Sequence, residues 1–343
     1  MTSLKRFLII LFLISFGASI SAQVAERGQS QGWNPSRTWV FAVGILEWQH
    51  EDSWDSFPKE GRKDAELMEF FSQAGVPRDQ ILFIKDKEAT KERIGRLMAR
   101  HLAKASEGDM LIFYFTGHGA RDEETGTVYF ANYDADGDDL VRTAWSVPSI
   151  FNSIERNFKG SHALLIADCC YSGALADEAV KRRRTSIAYA ALTSSRSDSV
   201  STAEWTFTET LLRGFRGNAR IDRDKDGEIE LSELARYENS RMRAVEGQAT
   251  SFATTRDFPS DMIVADVAST TTARASSRVE VEWQGEWYPA TVLEVRGARY
   301  RIHYLGYGSD WDEWVDASRL RVSTSSVIPA GRSWSFSESS ASL

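Results

Sequence analysis

The sequence predicts an α/β fold, in which a mostly parallel sheet is sandwiched by helices and followed by a small all-β module. Short continuous apolar runs, typical of strands buried on both faces, alternate with segments of helical periodicity from Thr38 onward. A segment rich in Ser, Thr and Ala at 266–277 reads as a linker. From Arg278 to Val322, apolar and polar residues alternate as in half-buried strands.

The composition is that of a globular protein, with 42% hydrophobic and 26% charged residues among 343. The formal net charge is -8. Because phosphate binding requires a basic face, we expect no nucleic-acid partner.

The N-terminus has the pattern of a signal peptide over residues 1–22. Lys5 and Arg6 precede an apolar run at 7–16, and small residues follow as far as Ala22. The run is too short to span a bilayer, although a short uncleaved anchor is the alternative. We expect a secreted or periplasmic protein with no membrane association after cleavage.

In chain order, the apolar runs predict five strands, at Thr38–Leu46, Ile81–Ile84, Met110–Phe115, Ala163–Ala167 and Ile187–Leu192. Helical spacing predicts helices at Asp64–Phe71, Thr90–Ala105, Val147–Phe158, Thr206–Phe215 and Leu231–Arg243. Binding sites in parallel sheets lie at the carboxyl ends of strands. Polar segments follow two of these strand ends, at 117–119 and 168–170.

The chain has two cysteines, Cys169 and Cys170, which are adjacent and cannot link distant segments. Reactivity is therefore the first explanation for them. A thiolate nucleophile needs a histidine to move protons, and His118 follows another strand. Taken singly, His118 has the alternative of a loop histidine and Cys170 that of a buried apolar filler. Both alternatives weaken when the two residues end neighbouring strands.

These segments resemble the motifs of caspases and metacaspases. YFTGHG at 114–119 is similar to the histidine motif, and DCCYSG at 168–173 to the metacaspase nucleophile motif, whose third position here is Cys170. The interval of 52 residues from His118 (170 minus 118) is close to the roughly 50 typical of caspases. The resemblance covers about residues 36–265 and implies a cysteine endopeptidase with a caspase-like fold. Backbone N–H groups of Gly119 and Cys170 are the expected oxyanion donors.

The resemblance also implies cleavage after Arg or Lys. Metacaspases place acidic residues in the pocket for the residue before the scissile bond, and Asp168 and Asp64 match them, with Thr116 at the position of a pocket serine. Lys63 replaces the family's asparagine before Asp64. The alternatives are a helix N-terminal aspartate for Asp64 and a turn aspartate for Asp168.

A basic run, KRRR at 181–184, follows the second motif. An enzyme that cleaves after basic residues would process itself there. A solvated charged loop is the alternative and the commoner explanation for a charge run.

Residues 222–233, DRDKDGEIELSE, fit the EF-hand pattern, including its glycine at position six. The candidate ligands are the side chains of Asp222, Asp224, Asp226 and Glu233 and the backbone carbonyl of Glu228. They predict Ca²⁺ as a cofactor, and we expect no organic cofactor. The alternative is a loop that keeps this shape without binding metal usefully.

The module at 278–322 resembles Tudor-knot or chromo-barrel domains, which have an SH3-like β-barrel, through VEWQGEWYPATV, YRIHYLGY and WDEWV. The resemblance implies an aromatic cage that holds a cationic group of a protein ligand. The candidates are Trp287, Tyr304, Tyr307, Trp311 and Trp314. The alternative is that these rings build the small core. The Ser-rich tail at 323–343 is expected to be disordered.

The leading hypothesis is therefore a secreted cysteine endopeptidase acting on peptides and proteins. The alternatives are a catalytically silent caspase-like fold that binds partners through its Tudor-like module, and a related cysteine protease of different specificity.

Overall fold

The computed structural model describes residues 32–182, 185–267, 278–283, 286–296, 299–316 and 319–322. The expected signal peptide, most of the expected linker, the Ser-rich tail and Arg183–Arg184 of the basic run lie outside these residues. The chain divides into two compact units, with the boundary between Val267 and Ala268. No helix in the described ranges is long and apolar enough to cross a membrane.

The described strands of the first unit are β1 (Thr38–Gly44), β2 (Ile81–Lys85), β3 (Met110–Thr116), β4 (Gly119–Arg121), β5 (Val128–Phe130), β6 (Trp145–Ser146), β7 (His162–Asp168), β8 (Ala188–Thr193), β9 (Glu228–Glu230), β10 (Ser251–Thr254) and β11 (Ile263–Asp266). Its helices are α1 (Lys63–Gln73), α2 (Lys91–Leu102), α3 (Leu140–Thr143), α4 (Val147–Asn157), α5 (Ala174–Lys181), α6 (Thr206–Phe215) and α7 (Leu231–Glu246).

The central sheet has six strands in the order β10-β8-β7-β3-β1-β2. Five of them are parallel, and β10 pairs with β8 in the antiparallel direction. The predicted mostly parallel sheet is confirmed. The edge strand β10 and the small sheets β4-β5-β6 and β9-β11 were not predicted, because strands of two to four residues carry too little periodicity.

Apolar cores lie on both faces of the sheet, because successive strand residues point to opposite sides. Phe113 belongs to the core that also contains Phe151 of α4, whereas its neighbour Tyr114 belongs to the core that contains Phe207 of α6 and Leu234 of α7. Burial of each such side chain contributes about 1.5–3 kcal/mol. The helices therefore cover both faces, as predicted.

The pairing register of β3 and β7 determines where the loops with the two motifs leave the sheet. Strands β3 and β7 are neighbours, and Thr116 at the end of β3 pairs with Asp168 at the end of β7. His118 and Cys170 each follow two residues later, so both loops start from the same edge of the sheet.

The second unit is a five-stranded antiparallel sheet in the order β15-β14-β13-β12-β16, of the small SH3-like barrel type predicted. Its strands are β12 (Arg278–Trp283), β13 (Glu286–Arg296), β14 (Arg299–Tyr304), β15 (Glu313–Asp316) and β16 (Leu320–Val322). It has a core of its own, which includes Val281, Val292 and Ile302.

Candidate active site

The loops that carry His118 and Cys170 are in direct contact. A Cβ atom added to Gly119 would lie 2.0 Å from the carbonyl oxygen of Cys170 and 3.3 Å from Sγ of Cys169. Only a residue without a side chain fits at such a distance. The structure thus brings together two segments that are far apart in sequence.

His118 is held by its ring Nε2, which lies 2.8 Å from the carbonyl oxygen of Asp55. Because a carbonyl only accepts, Nε2 carries the hydrogen and Nδ1 keeps a free lone pair. The ring packs against Trp48 and Phe57, with centroids 4.5 Å away in both cases. Burial lowers the pKa of His118, so the imidazole is neutral at pH 7 and able to accept a proton.

These partners of His118 were not predicted from the sequence. The signal was an aromatic-rich stretch between β1 and α1, WQHEDSWDSF at 48–57. Its contact with the histidine loop depends on tertiary structure alone.

The thiol of Cys170 receives a hydrogen bond from the backbone N–H of Ser201, at 3.1 Å. Burial nevertheless raises the pKa of Cys170, so the thiol is protonated at neutral pH. The next residue, Tyr171, has φ of 56°, a left-handed conformation that bulky residues rarely adopt. The nucleophile candidate therefore stands on a strained turn and needs a base to ionise.

Cys169 is more deeply buried than Cys170. Its side chain is buried in an apolar cluster, and burial raises its pKa well above that of a free thiol. Its carbonyl oxygen accepts a hydrogen bond from Ser195 Oγ at 2.9 Å. These contacts are those of a core residue.

Asp168 is buried at the end of β7, and its Oδ2 accepts a hydrogen bond of 2.7 Å from Thr208 Oγ1. Thr208 Oγ1 is also 2.8 Å from the hydroxyl of Tyr114. Burial raises the pKa of Asp168 to about 6. Thr116 Oγ1 donates to the backbone oxygen of Asp168 at 3.2 Å and so ties β3 to β7.

Asp64 is fully buried, but its carboxylate is held by an arginine of its own chain. Arg62 donates to both carboxylate oxygens, with its shortest bond at 2.6 Å. The same guanidinium contacts Asp86 and the carbonyl oxygen of Gly44 at the end of β1. In this arrangement Asp64 is neutralised by Arg62 and is not open to a substrate.

The acidic loop brings three of its predicted ligands together. Carboxylate oxygens of Asp222, Asp224 and Asp226 lie within 4.8 Å of one another, an all-oxygen set that fits a hard cation such as Ca²⁺. Glu233 instead accepts the N–H of Arg223 at 2.7 Å. Its side chain also hydrogen-bonds with Glu230, which raises the pKa of Glu230 to about 7.

The second unit contains an aromatic cleft of about 240 Å³. Of the five rings predicted for a cage, Tyr304, Tyr307 and Trp311 line it, together with residues that sequence analysis missed, namely Trp283, Tyr288, Asp310, Asp312 and Glu313.

The other two predicted rings, Trp287 and Trp314, are not among the described residues that line the cleft. Trp287 precedes Tyr288 on β13, and successive strand residues face opposite sides. Trp314 lies under the guanidinium of Arg296, 5.2 Å from its ring centroid.

The family model of the caspase domain matches residues 59–279, more than half of the chain. The Tudor-knot model, described as the RNA binding activity-knot of a chromodomain, matches residues 274–322. No curated protein matches the chain.

Among solved structures, protein GSU0716 from Geobacter sulfurreducens is similar at 12% identity over 67% of this chain and 99% of that chain, with a TM-score of 0.48. Tbtudor is similar at 23% identity over 15% of this chain and 93% of that chain, with a TM-score of 0.14.

Proposed function

The chain belongs to the caspase domain family, and from this premise we propose that it is a cysteine endopeptidase with Cys170 as nucleophile and His118 as general base. The observation that carries the proposal is the contact between their loops, in which Gly119 lies against the Cys170 backbone. The free lone pair on Nδ1 of a neutral histidine supports it further.

In the proposed first step, Nδ1 of His118 takes the thiol proton as Sγ of Cys170 attacks the substrate carbonyl carbon. The carbonyl oxygen becomes an oxyanion, for which backbone N–H groups of Gly119 and Cys170 are the proposed donors. The C–N bond then breaks, and the leaving nitrogen takes the proton from Nδ1. This leaves a thioester on Cys170.

In the second step, water attacks the thioester carbon while Nδ1 of His118 accepts a water proton. The C–S bond breaks, the new carboxylic acid leaves, and the proton returns to Sγ of Cys170. One water is consumed for each peptide bond cleaved.

We further propose that cleavage follows Arg or Lys. The support is Asp168, a buried carboxyl group two residues before the nucleophile, with Thr116 on the neighbouring strand. An ionised carboxylate in an apolar surrounding binds a guanidinium or ammonium group strongly. Asp64 enters this proposal only as the partner of Arg62, which holds it at the same edge of the sheet.

The test of the nucleophile compares two matched substitutions at adjacent cysteines. Cys170→Ala is expected to abolish hydrolysis of fluorogenic Arg and Lys peptides. Cys169→Ala is expected to keep most of it, because the Cys169 thiol is a core group. Equal loss of hydrolysis in both variants would contradict the assignment of Cys170 as the nucleophile.

We also propose that the acidic loop binds Ca²⁺ and that the enzyme acts outside the cytoplasm, after removal of residues 1–22. Asp222, Asp224 and Asp226 would hold the ion, whose two positive charges would offset most of the charge of three carboxylates. Millimolar CaCl₂ is expected to raise the melting temperature of the protein, as any ligand of the folded state does. An unchanged response in Asp222→Asn/Asp226→Asn would contradict this assignment.

The aromatic cleft supports a second function, binding of a protein partner through a cationic side chain. Rings of Tyr304, Tyr307 and Trp311 surround the space, and a cation over such faces gains about 0.5–2 kcal/mol. Tryptophan fluorescence is expected to change on titration with tetramethylammonium but not with tert-butanol, a neutral molecule of nearly the same shape. Trp311→Ala is expected to remove that change.

A further inference from the structure

Glu238 occupies a position where the sequence pattern of α7 calls for an apolar side chain. It stands between Ala235 and Met242 on the stripe that packs against the sheet, and it is fully buried. Neither of its carboxyl oxygens has a hydrogen-bond partner. A buried polar group without a partner costs about 1–3 kcal/mol, so its presence requires an explanation.

The surroundings of Glu238 connect it to the proposed substrate pocket. Helix α7 packs against α6, and Thr208 of α6 donates the hydrogen bond to Asp168. Burial, together with the negative charge of Asp168, raises the pKa of Glu238. Asp168 and Glu238 are thus two buried carboxyl groups next to the packed pair of α6 and α7.

The charge balance distinguishes these two carboxyl groups from the other acids at this edge of the sheet. Asp64 and Asp86 share the guanidinium of Arg62. Within the described part of the chain, neither Asp168 nor Glu238 forms an ion pair. The chain thus supplies no cationic partner to these two carboxyl groups, and a bound cation would favour the ionised form of both.

We propose that Glu238 is a specificity-determining residue that joins Asp168 in binding the cationic side chain before the scissile bond. The inference rests on the proposed peptidase function and names the second carboxylate of its pocket. Asp168, which is 7% exposed, is the outer carboxylate, and Glu238, at 0%, is the inner one. The inner group favours Arg over Lys, because the five N–H donors of a planar guanidinium point in different directions and can bond two carboxylates at once, whereas an ammonium is a compact point charge.

The substitution Glu238→Gln tests the proposal, because it keeps the shape of the side chain and removes the carboxylate. We expect kcat/KM for an Arg peptide to fall by roughly 30-fold or more, as when one partner of a buried charge pair is lost. Hydrolysis of a Lys peptide should fall less, so the Arg/Lys ratio decreases. The inhibition constant of agmatine, an alkyl guanidinium, should rise by a similar factor.

The matched control is Glu209→Gln on α6, where the side chain is 42% exposed and faces Lys63 and Arg213. This substitution should leave kcat/KM for the Arg peptide, kcat/KM for the Lys peptide and the inhibition constant of agmatine unchanged. Alkylation of Cys170 by iodoacetamide should proceed at the wild-type rate in both variants. If Glu238 had a purely structural role, its substitution would disturb the surroundings of Cys170 and change this rate.

The outcomes separate the inference from the function on which it rests. If the wild-type enzyme prefers Arg peptides and Glu238→Gln keeps the Arg/Lys ratio and the agmatine constant, the inference is overturned and the function stands. If the wild-type enzyme hydrolyses no basic peptide, the proposed specificity itself fails. Should Glu238→Gln not fold, Glu238→Asp replaces it: the shorter carboxylate should lower the Arg/Lys ratio, and an unchanged ratio would overturn the inference.

Discussion

Burial controls the chemistry of the two residues proposed as the dyad. It lowers the pKa of His118 and raises that of Cys170, so the free enzyme holds a neutral imidazole and a neutral thiol. A preformed thiolate–imidazolium pair is therefore not the resting state. In the proposed mechanism, proton transfer to His118 therefore accompanies the attack on substrate, and the rate depends on the position of the histidine ring.

The raised pKa of Asp168 predicts that the stability of the folded protein depends on pH. This pKa is about 6 in the folded protein and near 3.8 in an unfolded chain, so the folded state binds more protons between these values. Raising the pH from 4 to 7 should therefore remove roughly 2–3 kcal/mol of folding free energy. Asp168→Asn keeps an acceptor for Thr208 and should abolish this contribution.

Urea denaturation of both proteins at pH 4 and pH 7 measures the effect. The stability of Asp168→Asn relative to wild type should increase by about that amount from the lower to the higher pH. A difference that does not change with pH would show that Asp168 ionises normally.

The close contact between Gly119 and the Cys170 backbone predicts that a side chain at position 119 lowers activity. Gly119→Ala places a methyl group 2.0 Å from the backbone oxygen of Cys170 and must push the two loops apart. A displacement of about 1 Å in a catalytic group costs on the order of 100-fold in kcat. Gly95→Ala, at an open site on α2, is the control and should stabilise the protein by about 0.5–1 kcal/mol without loss of activity.

At the scale of elements, strand ends position the site and a hydrogen-bonded segment supports it. The segment after β8 supplies the Ser201 N–H to Cys170, and Gln248, just beyond α7, holds that segment. The Gln248 side chain donates to Ser194 O and to Ser201 Oγ and accepts from Thr202 N–H. The end of α7 thereby fixes the surroundings of the thiol.

Gln248→Ala is expected to lower kcat/KM about 10-fold, because loss of these bonds frees the Ser201 N–H from Sγ of Cys170. The rate of iodoacetamide alkylation of Cys170 should change in parallel. Gln73→Ala, an exposed position at the end of α1, is the matched control and should change neither. Equal behaviour of the two variants would mean that Gln248 does not support the site.

At the scale of the whole molecule, the two units have separate cores. Every residue proposed for peptide hydrolysis lies before Val267, and the aromatic cleft lies after it. A chain that ends at Val267 should therefore hydrolyse short peptides with kcat/KM within about twofold of the full chain. Loss of hydrolysis in a folded truncated chain, as judged by circular dichroism, would contradict this independence.

Long elements were predictable from the sequence because burial on both faces produces continuous apolar runs. Strand β3 and helix α6 lie close to or at their predicted bounds, as do most of the long strands and helices. Helices α3 and α5, and strands β4, β5, β6, β9, β10 and β11, were not predicted. Their few residues leave no period to detect, and their pairing depends on partners elsewhere in the chain.

The sequence by itself determined the α/β architecture, the family and the identity of the two candidate catalytic residues, since these depend on local patterns and motifs. Only the tertiary structure decided which groups surround them. It paired Asp64 with Arg62, packed tryptophan and phenylalanine rings against His118, and buried Glu238 without a hydrogen-bond partner for its carboxyl oxygens. The reason is physical: burial and ion pairing arise between segments that meet only when the chain is folded, and no local pattern records them.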